Sequence, residues 1–273
     1  SYAPALRIEG ESAADDVRLM KDAVAALGET SEIFCGAAGT VLRFMALRAS
    51  REPGRHILRG ERRLFERPQE ELIKILRQVG VSASLGEDAL IVEGSGWRLQ
   101  GDTLMVPSDR SSQFASSVLL NAWELPFDFF VSRGGAGVSE GYWKMSTRMA
   151  MDLGMKIDFW DGDFRVPRGQ KVSAAACSIE PDMSSAFAIA AVAAVSGRAT
   201  LTDFPAQSLQ PDVQFTSILS TMGAPVRKTP AGLTVEMAPR LNGVRVNLKS
   251  SPDLFPVLAA LAALAHGPSD LFG

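Results

Sequence analysis

A polar turn runs straight into an apolar helix at Pro107-Ser108-Asp109-Arg110-Ser111-Ser112-Gln113-Phe114-Ala115-Ser116, and the pattern returns twice. Asp182-Met183-Ser184-Ser185-Ala186-Phe187-Ala188 repeats the order of acid, paired serines, aromatic and alanine. Asp253-Leu254-Phe255-Pro256-Val257-Leu258-Ala259 keeps the acid and the alanine-rich helix without the serines. Gly80, Gly154 and Gly223, which close an amphipathic helix and open a strand, keep step with these turns. Two independent markers sharing a period of roughly 70 residues define a repeated supersecondary unit.

The content of one unit is legible. Residues 81–85 and 89–92 alternate around Gly86-Glu87-Asp88 and read as a hairpin. The same order returns around Asp161-Gly162-Asp163 and around Pro230-Ala231-Gly232. Ahead of the first hairpin, residues 66–80 place Pro68 at a helix start and Gly80 at its end, the favoured asymmetry. Residues 15–28 carry acids in the first turn, apolar positions at helical spacing and a glycine stop. Gly36-Ala37-Ala38-Gly39-Thr40-Val41-Leu42-Arg43-Phe44-Met45 is a glycine-rich turn opening another helix. Each unit is therefore two helices and a small set of strands, an α/β (α+β) arrangement with helices gathered against sheets. The run Lys171-Val172-Ser173-Ala174-Ala175-Ala176 is the candidate domain crossing.

Composition narrows the function. A net charge of −3 gives no general attraction for nucleic acid or an anionic membrane, although a phosphorylated small molecule can still be bound locally. Cys35 and Cys177 are the only cysteines, too few for a disulfide framework and without metal-ligand spacing, which suits a reducing cytoplasm and two core thiols. Ser1-Tyr2-Ala3-Pro4 lacks the basic and apolar regions of a signal peptide. The apolar runs 186–195 and 254–265 are too short to span a bilayer and read as buried helices. The sequence opens without Met and stops at Gly273 just after an apolar helix, which predicts that these residues belong to a longer polypeptide.

Several residues could carry chemistry. Ser111 and Ser112 fall in the first turn of a helix with Asp109 as the expected cap, so hydroxyls and free backbone N–H groups converge on a phosphate-sized spot; helix capping alone would explain the same serines. The turn at residues 36–39 can approach an anion closely, or can be a tight packing turn. Arg43 and Arg67 suit bidentate contacts with carboxylate or phosphate, or surface ion pairs. Asp253 stands between Pro252 and Leu254 at a helix start, where burial would raise its pKa toward general-base work and capping is the plainer role. Glu180 and Asp182 read as caps, and His56 and His266 have no partner pattern. The turn lacks the Lys-Ser/Thr ending of a P-loop.

Five segments together resemble the EPSP synthase family of enolpyruvyl transferases. Residues 36–44 are similar to the family's Gly-Asn-Ala-Gly-Thr-x-x-Arg signature and Glu66-Arg67-Pro68 to its Arg-Pro helix. Ser111-Ser112-Gln113 is similar to its Ser-Ser-Gln, Val138-Ser139-Glu140-Gly141-Tyr142 to its Ser-x-x-Tyr, and Pro252-Asp253 to its Pro-Asp. The resemblance implies a fold of two domains built from βαβαββ units, with residues 1–175 forming most of the first and 176–273 an incomplete second. It also implies substrates in the intervening cleft and a cytoplasmic monomer.

The activity implied is transfer of the enolpyruvyl group of phosphoenolpyruvate to the 5-hydroxyl of shikimate 3-phosphate with release of phosphate, using no metal or organic cofactor. Ser111, Ser112, Gln113, Ser139, Tyr142 and Asp253 would hold shikimate 3-phosphate; Gly39, Arg67 and Gln113 would hold phosphoenolpyruvate; Asp253 would be the catalytic base. Ala37 stands where the family has Asn, and the family's Pro-Gly-Ser-Lys-Ser and Lys-Glu-Ser segments have no counterpart, so these 273 residues alone are expected to bind without turnover. The related transferase that uses a UDP-sugar, and a non-catalytic binding domain, are the competing readings.

Overall fold

The computed structural model describes residues 5–135 and 137–273, so the signal-peptide reading of Ser1–Pro4 falls outside the described residues. The chain divides into two compact units, Ser1–Val138 with Ser146–Cys177, and Ser139–Met145 with Ser178–Gly273.

In the first unit β1 (Arg7–Glu9) and α1 (Asp15–Ala26) precede β2 (Glu32–Phe34), α2 (Gly39–Ala49) and β3 (Gly54–Arg59). Next come α3 (Arg62–Glu66), α4 (Glu70–Gln78), β4 (Ser82–Leu85) and β5 (Ala89–Gly94). The strands form one sheet in the order β2-β3-β5-β4, with β2 parallel to β3 and the other pairs antiparallel. β6 (Leu104–Met105), α5 (Ser112–Leu120), β7 (Phe129–Ser132), α6 (Glu140–Asp152), β8 (Asp158–Trp160) and β9 (Asp163–Val166) repeat that plan. Their sheet runs β6-β7-β9-β8 with the same alternation of parallel and antiparallel pairs. Residues of α6 up to Met145 group with the second unit and those from Ser146 with the first.

The parallel first pair in each sheet needs a crossover, which α2 and α5 supply, and these two helices pack on one another. Asn121, the cap residue at the end of α5, donates from Nδ2 to Phe44 O at 3.2 Å. The helix expected to start at Pro68 and end at Gly80 is α4, which begins two residues later, at Glu70. Pro68 has no N–H and forces the residue before it to be extended, so Arg67 takes φ −75°, ψ 147° and ends α3, and α4 starts only at Glu70. Arg67 is thus presented from a loop rather than from a helix.

β10 (Ala176–Ser178) lies where the first unit gives way to the second, and the second unit holds α7 (Met183–Ser196), β11 (Arg198–Leu201), α8 (Phe215–Thr221), β12 (Val226–Thr229) and β13 (Gly232–Glu236), then β14 (Arg245–Asn247), α9 (Phe255–Leu264) and β15 (Asp270–Phe272). β11, β13 and β12 form an antiparallel sheet, while β14 and β15 pair in parallel around α9. Its core is centred on Phe187 and Phe215, stacked with centroids 5.5 Å apart, with Phe204 edge-on to Phe215.

The two apolar runs are helices as expected, but each buries one face only. α7 packs Ala186, Phe187, Ala190 and Ala194 inward and leaves Ile189 and Val192 exposed, and α9 exposes Phe255 and Leu264. Cys35 is buried and burial pushes its thiol pKa up to about 12; Cys177 is only half-buried, and both are free thiols. Among the described residues no helix is long and apolar enough to cross a membrane. Truncating Phe187 to Ala, which removes the fully buried ring and its stack on Phe215, is expected to destabilise the second unit by about 3–5 kcal/mol, read from urea denaturation.

Candidate functional site

In the first unit the site grows from two helix starts. Gly36 has φ +55°, which glycine adopts without strain, and its carbonyl accepts from Glu61 N at 2.8 Å. A Cβ on Gly60 would stand 2.5 Å from the same carbonyl. Two glycines therefore let the turn close on the end of β3. The turn delivers Gly39 to the first position of α2, whose cap residue Ala38 makes no side-chain hydrogen bond, so the first-turn N–H groups lack a side-chain cap. The Arg67 guanidinium lies over Gly39: a Cβ there would be 2.7 Å from Nη1.

Arg43, one turn further along α2, is 5% exposed. Nη1 donates to Gln113 Oε1 at 2.7 Å, Nε to Gln69 Oε1 at 3.3 Å and Nη2 to Pro68 O at 3.4 Å, with the guanidinium carbon 4.6 Å from the centroid of the Phe114 ring. Burial and the neighbouring Arg67 charge lower its pKa to about 10. Among the described residues neither arginine pairs with a carboxylate. Two guanidinium groups and a helix start with no acidic partner make a positive hole suited to an anion.

Gln113 joins this hole to the start of α5. Its backbone N–H donates to Ser111 Oγ at 3.2 Å, making Ser111 the cap of the helix. The expected cap Asp109 does not serve: it lies before the helix and is exposed, while Ser111 has the extended backbone of a cap. Ser112, the first helical residue, is 3% exposed.

In the second unit Ser139 takes φ +56°, unusual for a residue with a side chain, and its carbonyl accepts from Tyr142 N at 3.0 Å. Gly141 lies against Pro211, where a Cβ would come within 2.5 Å of Pro211 Cβ, so the start of α6 sits close to the Pro-Asp turn before α8. The Tyr142 hydroxyl is 2.9 and 3.1 Å from the two oxygens of Asp212 and 3.0 Å from Asp253 Oδ2. One proton is shared between two carboxylates. Burial and the two acids push the phenol pKa up, so Tyr142 stays protonated. Asp212 is 3% exposed, and burial, with the Asp253 charge adding, raises its carboxyl above the ordinary value against the opposing Tyr142 bond.

Asp253 departs from the sequence reading in two ways. It is exposed rather than buried, because Leu254 beside it takes the inward position, and it makes no helix-cap hydrogen bond. Asp182 does cap α7, bonding Ser184 N at 3.0 Å; burial pushes its carboxyl up, but hydrogen bonds from Ser185 and Ser184 outweigh this and hold its pKa low. Glu180 instead accepts from Leu209 N at 3.0 Å. The structure brings Gly39, Arg67 and Gln113 together with Arg43, and Tyr142 together with Asp253.

The sequence reading missed Asp212 and Gln69. Asp212 was signalled, since Pro181-Asp182, Pro211-Asp212 and Pro252-Asp253 all stand at helix starts. Gln69 had no signal beyond following Arg67-Pro68. Among the described residues no group of three or more His, Cys, Asp or Glu is arranged to hold a metal ion.

This architecture is similar to that of EPSP synthase from Acinetobacter baumannii, with a TM-score of 0.72 and 20% identity over 97% of this chain and 67% of that one. The fold is thus that of the enolpyruvyl transferases. The model of the EPSP synthase (3-phosphoshikimate 1-carboxyvinyltransferase) family matches residues 5–273, and the chain belongs to that family. The 3-phosphoshikimate 1-carboxyvinyltransferase of Methanothermobacter thermautotrophicus is 34% identical over 250 residues, 88% of this chain and 58% of the relative. That of Methanoculleus marisnigri is 32% identical over 254 residues, 91% of this chain and 59% of the relative. The chain therefore spans somewhat over half the length of the curated relatives it matches.

The environment of Asp212 gives a pH signature. A carboxyl whose pKa rises on folding contributes stability that is full below the unfolded value and lost as pH climbs through the folded one. Asp212→Asn removes that loss while retaining an acceptor for Tyr142. Thermal melts from about pH 4 to pH 7 are expected to show the variant gaining on the wild type as pH rises; parallel curves would contradict the raised pKa.

Proposed function

We propose that the protein takes part in transfer of the enolpyruvyl group of phosphoenolpyruvate to the 5-hydroxyl of shikimate 3-phosphate, with release of phosphate. The observation that carries this reading is the positive hole formed by Arg43, Arg67 and the uncapped start of α2, in a chain of the EPSP synthase family. Both substrates are anions, and phosphate leaves as an anion, so fixed donors aimed at developing negative charge supply much of the catalysis.

Gly39, Arg67 and Arg43 hold phosphoenolpyruvate, with Gln113 contacting both substrates from the start of α5. Ser111 and Ser112 offer hydroxyls to the phosphate of shikimate 3-phosphate, and Ser139 and Tyr142 add polar contacts from the second unit. Asp253 takes the proton of the attacking hydroxyl. Its exposed carboxylate is open to substrate, and the Tyr142 hydroxyl, anchored on buried Asp212, fixes its orientation. The hydroxyl oxygen adds to C2 of phosphoenolpyruvate as C3 takes up a proton, and the tetrahedral adduct then loses phosphate from C2 and a proton from C3, which restores the double bond.

Calorimetry tests the anion assignments. Arg67→Ala is expected to weaken phosphoenolpyruvate by about 1.5–3 kcal/mol, and Ser111→Ala with Ser112→Ala to weaken shikimate 3-phosphate by about the same for each bond lost. Wild-type protein that binds neither substrate overturns the reading. In full-length protein whose wild type releases phosphate from the two substrates, Asp253→Asn is expected to keep the fold and substrate binding while phosphate release falls by about 10²–10⁴-fold; an undiminished rate would remove Asp253 from the chemistry.

A further inference from the structure

Gln69 is 1% exposed and uses both ends of its amide: Oε1 accepts from Arg43 Nε at 3.3 Å and Nε2 donates to Leu64 O at 3.2 Å. The position carries no solvent contact, so an apolar side chain of the same size would fill it without needing any hydrogen bond. A glutamate of the same shape would bond Arg43 more strongly, as an ion pair. Glutamine differs from both: it orients the guanidinium yet leaves its charge uncancelled.

The remaining acceptors of Arg43 have the same character. Pro68 O and Gln113 Oε1 are neutral, so the buried cation is held on three sides by groups that take none of its charge. Gln69 also stands at the cap position of α4, without a side-chain capping bond, and follows directly on Arg67-Pro68. Its bond to Arg43 and the parallel bond from Arg43 Nη2 to Pro68 O pin the loop from which Arg67 reaches over Gly39. The other end of the amide is moored to α3 through Leu64, so the loop is held from both directions.

We infer that Gln69 is a positioning residue for anion binding: it sets the direction of Arg43 and the reach of Arg67 while keeping the hole fully positive. This inference rests on the reading of the hole as the phosphoenolpyruvate site. It separates geometry from charge, because Gln69→Glu preserves the shape and the bond from Arg43 while cancelling one charge and losing only the bond donated to Leu64 O, whereas Gln69→Leu preserves volume and removes both bonds.

The experiment measures Kd for phosphoenolpyruvate and for inorganic phosphate by calorimetry, alongside Tm, for wild type and both variants. Gln69→Glu is expected to raise both Kd values by about tenfold or more, with a smaller loss of Tm than Gln69→Leu because the Arg43 ion pair offsets the lost bond to Leu64 O. Gln69→Leu is expected to raise Kd by about tenfold as well, with Tm lowered. A residue with a merely structural role would lower Tm in the Leu variant and leave the affinity of the folded Glu variant alone. Gln69→Glu binding both ligands within about twofold of wild type, against a wild type that binds them, overturns the inference and leaves the substrate assignment standing. Wild type that binds neither ligand overturns the substrate assignment, and this inference with it.

Discussion

A buried guanidinium with no carboxylate beside it is the constraint on which the first unit turns. Removing a cation from water costs several kcal/mol unless the surroundings replace its hydration, and here they do so with carbonyl oxygens and an aromatic face. Those partners come from three places in the chain: the loop after α3, the cap of α4 and the start of α5. Arg43 therefore ties the loop between α3 and α4 to the start of α5. Burial lowers its pKa, and the second guanidinium nearby lowers it further. Positive potential accumulates, and only a bound anion relieves it.

The second unit solves the opposite problem. Asp212 is enclosed and Asp253 is open, and a single phenolic proton serves both. Two acids near one hydroxyl repel one another, which raises Asp212 further and favours the proton staying on oxygen within the cluster. The enclosed acid is thus suited to anchoring and the open one to exchange with a substrate. The difference arises from neighbouring residues rather than from residue type, since both sit in the same Pro-Asp turn.

Much of the fold was legible because its signals are local. Paired serines before an apolar run, a glycine after an amphipathic helix and a turn between alternating segments each act within a few residues, and the hairpins ending in β5, β9 and β13 lie within a residue or two of their expected places. The resemblance to the EPSP synthase family rested on five such segments, and the whole-chain match agrees with it. What failed was non-local, or turned on a residue or two. The cap passed from Asp109 to Ser111 because a shift of two residues in a helix start is invisible to periodicity. Burial of Asp212 instead of Asp253 depends on which turn Gly141 packs against, a contact across 70 residues of chain that no spacing encodes. Gln69 was silent for the same reason: its partners are set by tertiary structure alone.

The repeat has a kinetic side. The strands β2 to β5, β6 to β9 and β11 to β13 each complete their sheet within one stretch of chain, and no strand of these three sheets is borrowed from a distant part of the sequence. Loop closure over such short distances costs little entropy, and contact-local topologies are the ones that fold fast. A nascent chain emerging from the ribosome can therefore close each sheet while the next is still being made.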